Sequence, residues 1–311
     1  MSYRLKPGRS VASEVKRIVD TQLTLAIEEL RAIGDRRSDR RIHEARRHVK
    51  KVRALLRLVQ PVLTYHAVNR RLRIASRMLG PIADGRAVVE TVVRIGRKYR
   101  TRQSQPALHS ILAALVRRAD RIDRRADVDR VLPIVAGILR RERRRLADWT
   151  LSARGFDAIG PGLERSMRRA RRAMRQSLRH AAAHDFHVWR LRVKDLWFQV
   201  RLLEARCGDT LIGDQRRLEA LDGCLGEYHN VILLEEILIT ESLVPRQQTA
   251  DGLRLLRRYQ AKLRDRAASL RRRIFDETPG HFVRRVSRLW HAPAAARAGG
   301  AKEGRRWRRA A

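Results

Sequence analysis

The sequence is short of cysteine, aromatic residues, acidic residues and lysine, and each shortage narrows what the chain can be. Cys207 and Cys224 are the only cysteines and form no metal or redox spacing, which suits a reducing cytoplasm. The opening MSYRLKPGRS has no apolar signal core. No run approaches the roughly 20 apolar residues that span a bilayer. The most apolar stretch, Val231 to Ile239, is interrupted by Glu235 and Glu236. Alternating runs of β-branched residues are missing, which predicts an all-α chain. Paired carboxylates, a nucleophile elbow, a phosphate-binding glycine loop and a Cys/His cluster are missing too, so no catalytic residues and no cofactor are expected.

What is abundant is arginine. Against 33 acidic residues stand 71 basic ones, a net charge of +38, and only 8 of the basic residues are lysine. With 43% hydrophobic residues over 311 positions the chain can bury a sizeable core, so this charge belongs to a folded surface. Such a protein repels itself unless anions neutralise it, and a polyanion is the natural ligand class.

The charge is organised. In the stretch Ile42 to Leu58, IHEARRHVKKVRALLRL, helical spacing brings His43, Arg46, Lys50, Arg53 and Arg57 into a sector of roughly 80°. Val49, Val52, Leu55, Leu56 and Val59 take the opposite side. The cations run about 20 Å along one face, a row suited to an extended anion rather than to one phosphate. Arginine forks, lysine point charges and a histidine that an anion can protonate all fit phosphate oxygens.

The chain contains this helix twice. Phe186 to Leu203, FHVWRLRVKDLWFQVRLL, repeats His187, Arg190, Lys194 and Arg201 at an offset of 144, and Arg70-Arg71-Leu72, Leu79-Gly80 and Glu90 recur 146 positions on as Arg216-Arg217-Leu218, Leu225-Gly226 and Glu236. A solvated basic face could arise from arginine bias alone, but it need not repeat in register. The match predicts an internal duplication of about 145 residues. With so few lysines, the equivalence of Lys50 and Lys194 is telling.

Taken in order, Ser10 should cap a helix with Val11, Val15, Ile18, Val19, Leu23, Ile27 and Leu30 inside. Asp39 should cap the first striped helix and Pro61 should end it. Helices are expected over 65–79, from near Asp84 to about Tyr99, over 106–126 and over 128–149, with a boundary in 153–162. In the second part helices are expected over 163–181, from a cap at Asp185, over 214–225, from Asn230 to Leu243, over 248–275 and over 281–290. The Leu-Gly pairs read as helix ends, with Asp84 and Asn230 as caps. Trp189, Trp197 and Phe198 are expected to pack rather than stack on bases. His180, His184 and His187 are spaced for zinc on one continuous helix, but Asp185 should interrupt it and no carboxylate completes the set, so no metal is expected.

These segments resemble the conserved-histidine α-helical domain, or CHAD, family: HEARRHVKKVRALLRL at 43–58, LGPIADGRAVVE at 79–90, FHVWRLRVKDLWFQVRLLE at 186–204 and LGEYHNVILLEE at 225–236. The resemblance extends over 3–290, divided as 3–152 and 153–290, and leaves 291–311 as a disordered Arg/Ala/Gly-rich tail. It implies two antiparallel four-helix bundles related by a pseudo-two-fold axis with a basic groove between them. It also implies binding of inorganic polyphosphate and association with polyphosphate granules in the cytoplasm. The binding residues it implies are His43, Arg46, Lys50 and Arg57 with His187, Arg190, Lys194 and Arg201, supplemented by Arg47, Lys51 and Arg53. The chain departs from the family at Trp197-Phe198, where many members have Arg-Tyr, at Leu191 opposite Arg47, and at Ala83 and Asn230. No ExExK motif of a fused triphosphate tunnel occurs, so no hydrolase is expected. Nucleic-acid backbone binding is the alternative that the same charge allows, with Arg168 to Arg175 and the C-terminal arginines able to lie outside the groove.

Overall fold

The computed structural model describes residues 3–32, 38–99, 105–125, 128–208 and 210–292. It is helical throughout, and no strand occurs among the described residues. In chain order the helices are α1 (Val11–Arg31), α2 (Ser38–Leu58), α3 (His66–Met78), α4 (Gly80–Lys98), α5 (Gln105–Arg125), α6 (Val128–Arg144), α7 (Gly160–His180), α8 (Ala183–Cys207), α9 (Thr210–Thr240), α10 (Arg246–Leu270), α11 (Arg272–Phe275) and α12 (Pro279–His291).

The first helix starts where its sequence says. The Ser10 hydroxyl accepts the Ser13 backbone N–H at 3.1 Å, which satisfies one of the donors a helix start leaves over. Val11, Val15, Ile18, Val19, Leu23, Ile27 and Leu30 are all buried, as their spacing requires. α2 stops at Leu58 and passes into a 3-10 turn, Gln60–Val62, that contains Pro61.

Other boundaries differ from expectation. α2 begins at Ser38, so Asp39 lies inside it, and the side chains of Asp39 and Asp84 lie outside the described residues. Asp185 sits in the first turn of α8, two residues past its start, while Ala182 holds the cap position. Leu79-Gly80 is a true junction, with Pro81 in the first turn of α4. Leu225-Gly226 is not. α9 runs unbroken from Thr210 to Thr240, and Asn230 is mid-helix and caps nothing. An interior glycine costs about 1 kcal/mol of helix propensity, and tertiary packing overrides that. A methyl group on Gly226 would meet Arg190 Nε at 3.5 Å, an ordinary van der Waals contact, so neither a helix end nor crowding requires glycine there. Residues 293–311 lie outside the described residues.

Consecutive helices pack side by side: α1 on α2, α4 on α5, α7 on α8, α8 on α9 and α9 on α10. α6 returns to α1 and α3, α12 covers α7, and α5 meets α10. What positions the site is the contact of α2 with α7 and α8. At Gly162 the start of α7 crosses the end of α2 backbone to backbone. A Cβ there would stand 1.7 Å from the Leu58 carbonyl oxygen, so no residue but glycine fits. The apolar side of α2 is fully inside, with Val49, Val52, Leu55, Leu56 and Val59 at 0% exposure.

One buried polar link joins α1 to α2. His48 Nδ1 lies 2.8 Å from Gln22 Oε1, the neutral ring donating to the amide oxygen. Burial first, then Lys51 and Arg47, push the His48 ring down to about 4. A histidine whose folded value is depressed contributes stability in full above its unfolded value of about 6.5, and loses it as pH falls toward the folded one. The protein should therefore lose about 2 kcal/mol of stability from this group between pH 7 and pH 5. Thermal unfolding of wild type against His48→Gln at the two pH values measures it. A drop equally large in the variant would remove His48 as the cause.

A cationic groove between two helices

α2 and α8 meet in an antiparallel register. Arg57 Nη1 donates to Asp195 Oδ1 at 2.9 Å, and three residues earlier the Ala54 carbonyl accepts from Gln199 Nε2 at 3.0 Å. Between the helices lies a cavity of about 130 Å³. α2 contributes Lys50, Arg53 and Arg57 to its lining. α8 contributes Arg190, Arg192 and Lys194, together with Leu191, Asp195 and Phe198. Every lining position of α2 carries a cation, because the striped face of that helix is what its buried valines and leucines leave outward.

The cations are crowded. Burial, followed by Arg57, pushes the Arg53 guanidinium down to about 10, with Arg73 and Arg77 adding to the effect, while Arg53 Nε donates to Asn69 Oδ1 at 3.1 Å. Burial also lowers Arg192, with Arg57 and Arg169 acting in the same direction. The counter-charges are few. Asp195 lies 2.9 Å from Arg57 and 3.9 Å from Arg192, and Lys194 Nζ donates to Asp222 Oδ2 at 2.7 Å. Burial pushes the Asp195 carboxyl up against the pull of Arg57, Arg192, Arg53 and Arg169. Phe198 is almost fully buried, and the half-buried Trp197 stacks on it at 4.8 Å. Trp189 is at 0% exposure, so its ring and Phe198 are part of the packing.

The sequence-predicted residues divide. Lys50, Arg53, Arg57, Arg190 and Lys194 line the cavity together. His43 lies two turns before Lys50 on α2, its ring lowered by burial and then by Lys50, with Arg46 and Arg47 adding to it. Arg46 is half-buried on the same helix, and Arg47 pairs with Glu44 at 3.0 Å. His187 stands beside His229 of α9, Nδ1 to Nδ1 at 3.3 Å.

Lys51 and Arg201 do not join the cavity lining. Lys51 is 6% exposed and lies over the Tyr3 ring at 5.4 Å, while the Tyr3 hydroxyl donates to the Lys51 carbonyl at 2.9 Å. Burial, then the neighbouring Arg47 and Arg201, bring the Lys51 ammonium down to about 8. Arg201 acts on this Tyr3–Lys51 group. The physical reason is the chain leading into α1, whose Leu5 N–H bonds to the Leu202 carbonyl at 2.8 Å and seats Tyr3 over Lys51.

Arg192 and Asp195 were missed. Their signal is present in the sequence. At the 144 offset Asp195 is the equivalent of Lys51, a charge reversal beside the repeated Lys50/Lys194 position, and Arg192 precedes it by one helical turn.

The comparisons place this all-helical fold. The CHAD domain profile matches residues 19–239, and the chain belongs to the CHAD family, whose known role is polyphosphate binding. Two solved structures share the fold. PptA from Streptomyces chartreusis aligns with a TM-score of 0.62 at 16% identity, over 86% of this chain and 100% of that one. The CHAD domain from the plant Ricinus communis aligns with a TM-score of 0.57 at 13% identity, over 95% of this chain and 96% of that one. No curated protein sequence matches.

Proposed function

We propose that this CHAD protein is a non-catalytic receptor for inorganic polyphosphate. The observation that carries the reading is the convergence of Lys50 and Lys194, equivalent across the sequence repeat, on one cavity with Arg53, Arg57, Arg190 and Arg192. A chain of phosphates presents charge at every repeat and meets such a site with charge-assisted hydrogen bonds and counterion release. The cavity's carboxylate is held by arginine, which leaves it poorly placed to hold a metal or to activate water. Retention without hydrolysis is the chemistry that fits. Association with polyphosphate granules follows from the same property.

In this reading α2 and α8 are equivalent helices facing each other across a pseudo-two-fold axis between duplicated bundles. Two observations support it. α1 lies against α2 as α7 lies against α8. The Ser152 N–H bonds to the Val62 carbonyl just past α2 at 3.1 Å, much as Leu5 bonds to Leu202 near the end of α8.

The test is a competition titration at fixed salt. Polyphosphate should displace bound RNA at a far lower phosphate concentration than RNA displaces polyphosphate, and affinity should fall steeply as salt rises. RNA competing equally, phosphate for phosphate, would instead make this a general backbone binder.

A further inference from the structure

We propose a second anion site, remote from the groove, in the recess between the C-terminal half of α7 and the turn from α10 into α11. Arg171, Arg175 and Arg179 recur every four residues along one face of α7, and Arg271 joins them from the end of α10. They surround a recess of about 410 Å³ that shares no lining residue with the groove. Against these four guanidinium groups the recess lining holds one carboxylate, Asp276.

The arrangement is more than a solvated basic face. Arg175 and Arg179 are exposed, but the Nε atoms of both Arg171 and Arg271 are buried without a hydrogen-bond partner. A buried guanidinium donor left unpaired is costly, and a small turn of either side chain toward an oxyanion in the recess would satisfy it. Guanidinium forks converging from two elements match closely spaced phosphate groups better than a single carboxylate. The ligand class is therefore an oligophosphate.

Two sources could supply it: a free oligophosphate, or a further stretch of the chain held in the groove. The second has a route. Arg169 acts electrostatically on Asp195 and Arg192, and Arg175 is about 9 Å farther along α7 and about 120° round its axis, so the chain would run obliquely over the helix. Only this second source rests on the polyphosphate reading of the groove.

The experiment uses the full chain with its groove weakened by Lys50→Glu and Lys194→Gln, titrated with tripolyphosphate in a calorimeter. One saturable site should remain. Adding Arg175→Gln and Arg271→Gln should weaken it by about tenfold or more, and the corresponding lysine substitutions, which keep the charge but lose the fork and the Nε donor, should weaken it less. Unchanged helical circular dichroism shows that the variants fold. No saturable binding before the glutamine substitutions, or the same binding after them, overturns the site. In an otherwise wild-type chain, a loss from Arg175→Gln/Arg271→Gln that grows with polyphosphate length supports the shared-chain source. A loss seen with tripolyphosphate alone supports the free ligand. If Lys50→Glu/Lys194→Gln leaves the binding of long polyphosphate unchanged while tripolyphosphate binding still depends on Arg175 and Arg271, the groove reading fails and the recess stands.

Discussion

Lys50→Glu combined with Lys194→Gln should reduce affinity for long-chain polyphosphate by at least about a hundredfold, since each lost charge-assisted contact is worth about 1.5–3 kcal/mol. The glutamate adds repulsion inside a cavity of about 130 Å³, where little water screens it. The salt dependence should become shallower by about two in the slope of log affinity against log salt, one for each phosphate contact removed. Gln rather than Glu is the choice at 194 because Lys194 lies 2.7 Å from Asp222. A second carboxylate there would repel Asp222 and threaten the packing of α8 on α9. Retention on immobilised polyphosphate measures the effect, with the unfolding temperature showing that the chain is intact. A folded variant that binds as wild type does would end the groove assignment.

Much of the candidate cavity lining was legible because it lies on one helix face. The burial of Val49, Val52, Leu55, Leu56 and Val59 follows from a 3.6-residue period, and that period forces Lys50, Arg53 and Arg57 outward. What periodicity does not supply is the partner across the gap. Lys51 and Lys50 are chemically alike and adjacent, yet Lys51 is sequestered by Tyr3, 48 positions earlier in the chain. Arg201 matches Arg57 in the repeat but faces that Tyr3–Lys51 group, because Lys51 stands where the other half has Asp195. The continuous α9 illustrates the same limit. Gly226 has the propensity of a helix end, and only the packing of α9 against α8, α10 and α4 carries the helix through it without a break. Local chemistry names the groove's cations; contacts distant in sequence decide which of them reach it.

Asp195→Asn should raise polyphosphate affinity and lower stability at the same time. Its carboxylate is 15% exposed, lies 2.9 Å from Arg57 and acts as an internal counter-anion for a guanidinium cluster that would otherwise repel itself. Incoming phosphate must compete with it for Arg57. Removing one negative charge from the groove should strengthen binding by about tenfold or more, and steepen the salt dependence. In the free protein the same change leaves Arg53, Arg57 and Arg192 without compensation, at a cost of about 2–4 kcal/mol and a lower unfolding temperature. Saturating polyphosphate should recover that stability by linkage. Proton uptake gives a further signature. Once phosphate draws Arg57 away, the largest counterweight to burial is lost, and with only Arg192, Arg53 and Arg169 still opposing it the protonated form of the Asp195 carboxyl gains. Binding should then take up protons and tighten as pH falls, and the asparagine variant should lose that part of the dependence. Equal or weaker binding by Asp195→Asn would mean that the carboxylate orients Arg57 for the ligand instead of competing with it, since a positioning role loses affinity where a competing role gains it.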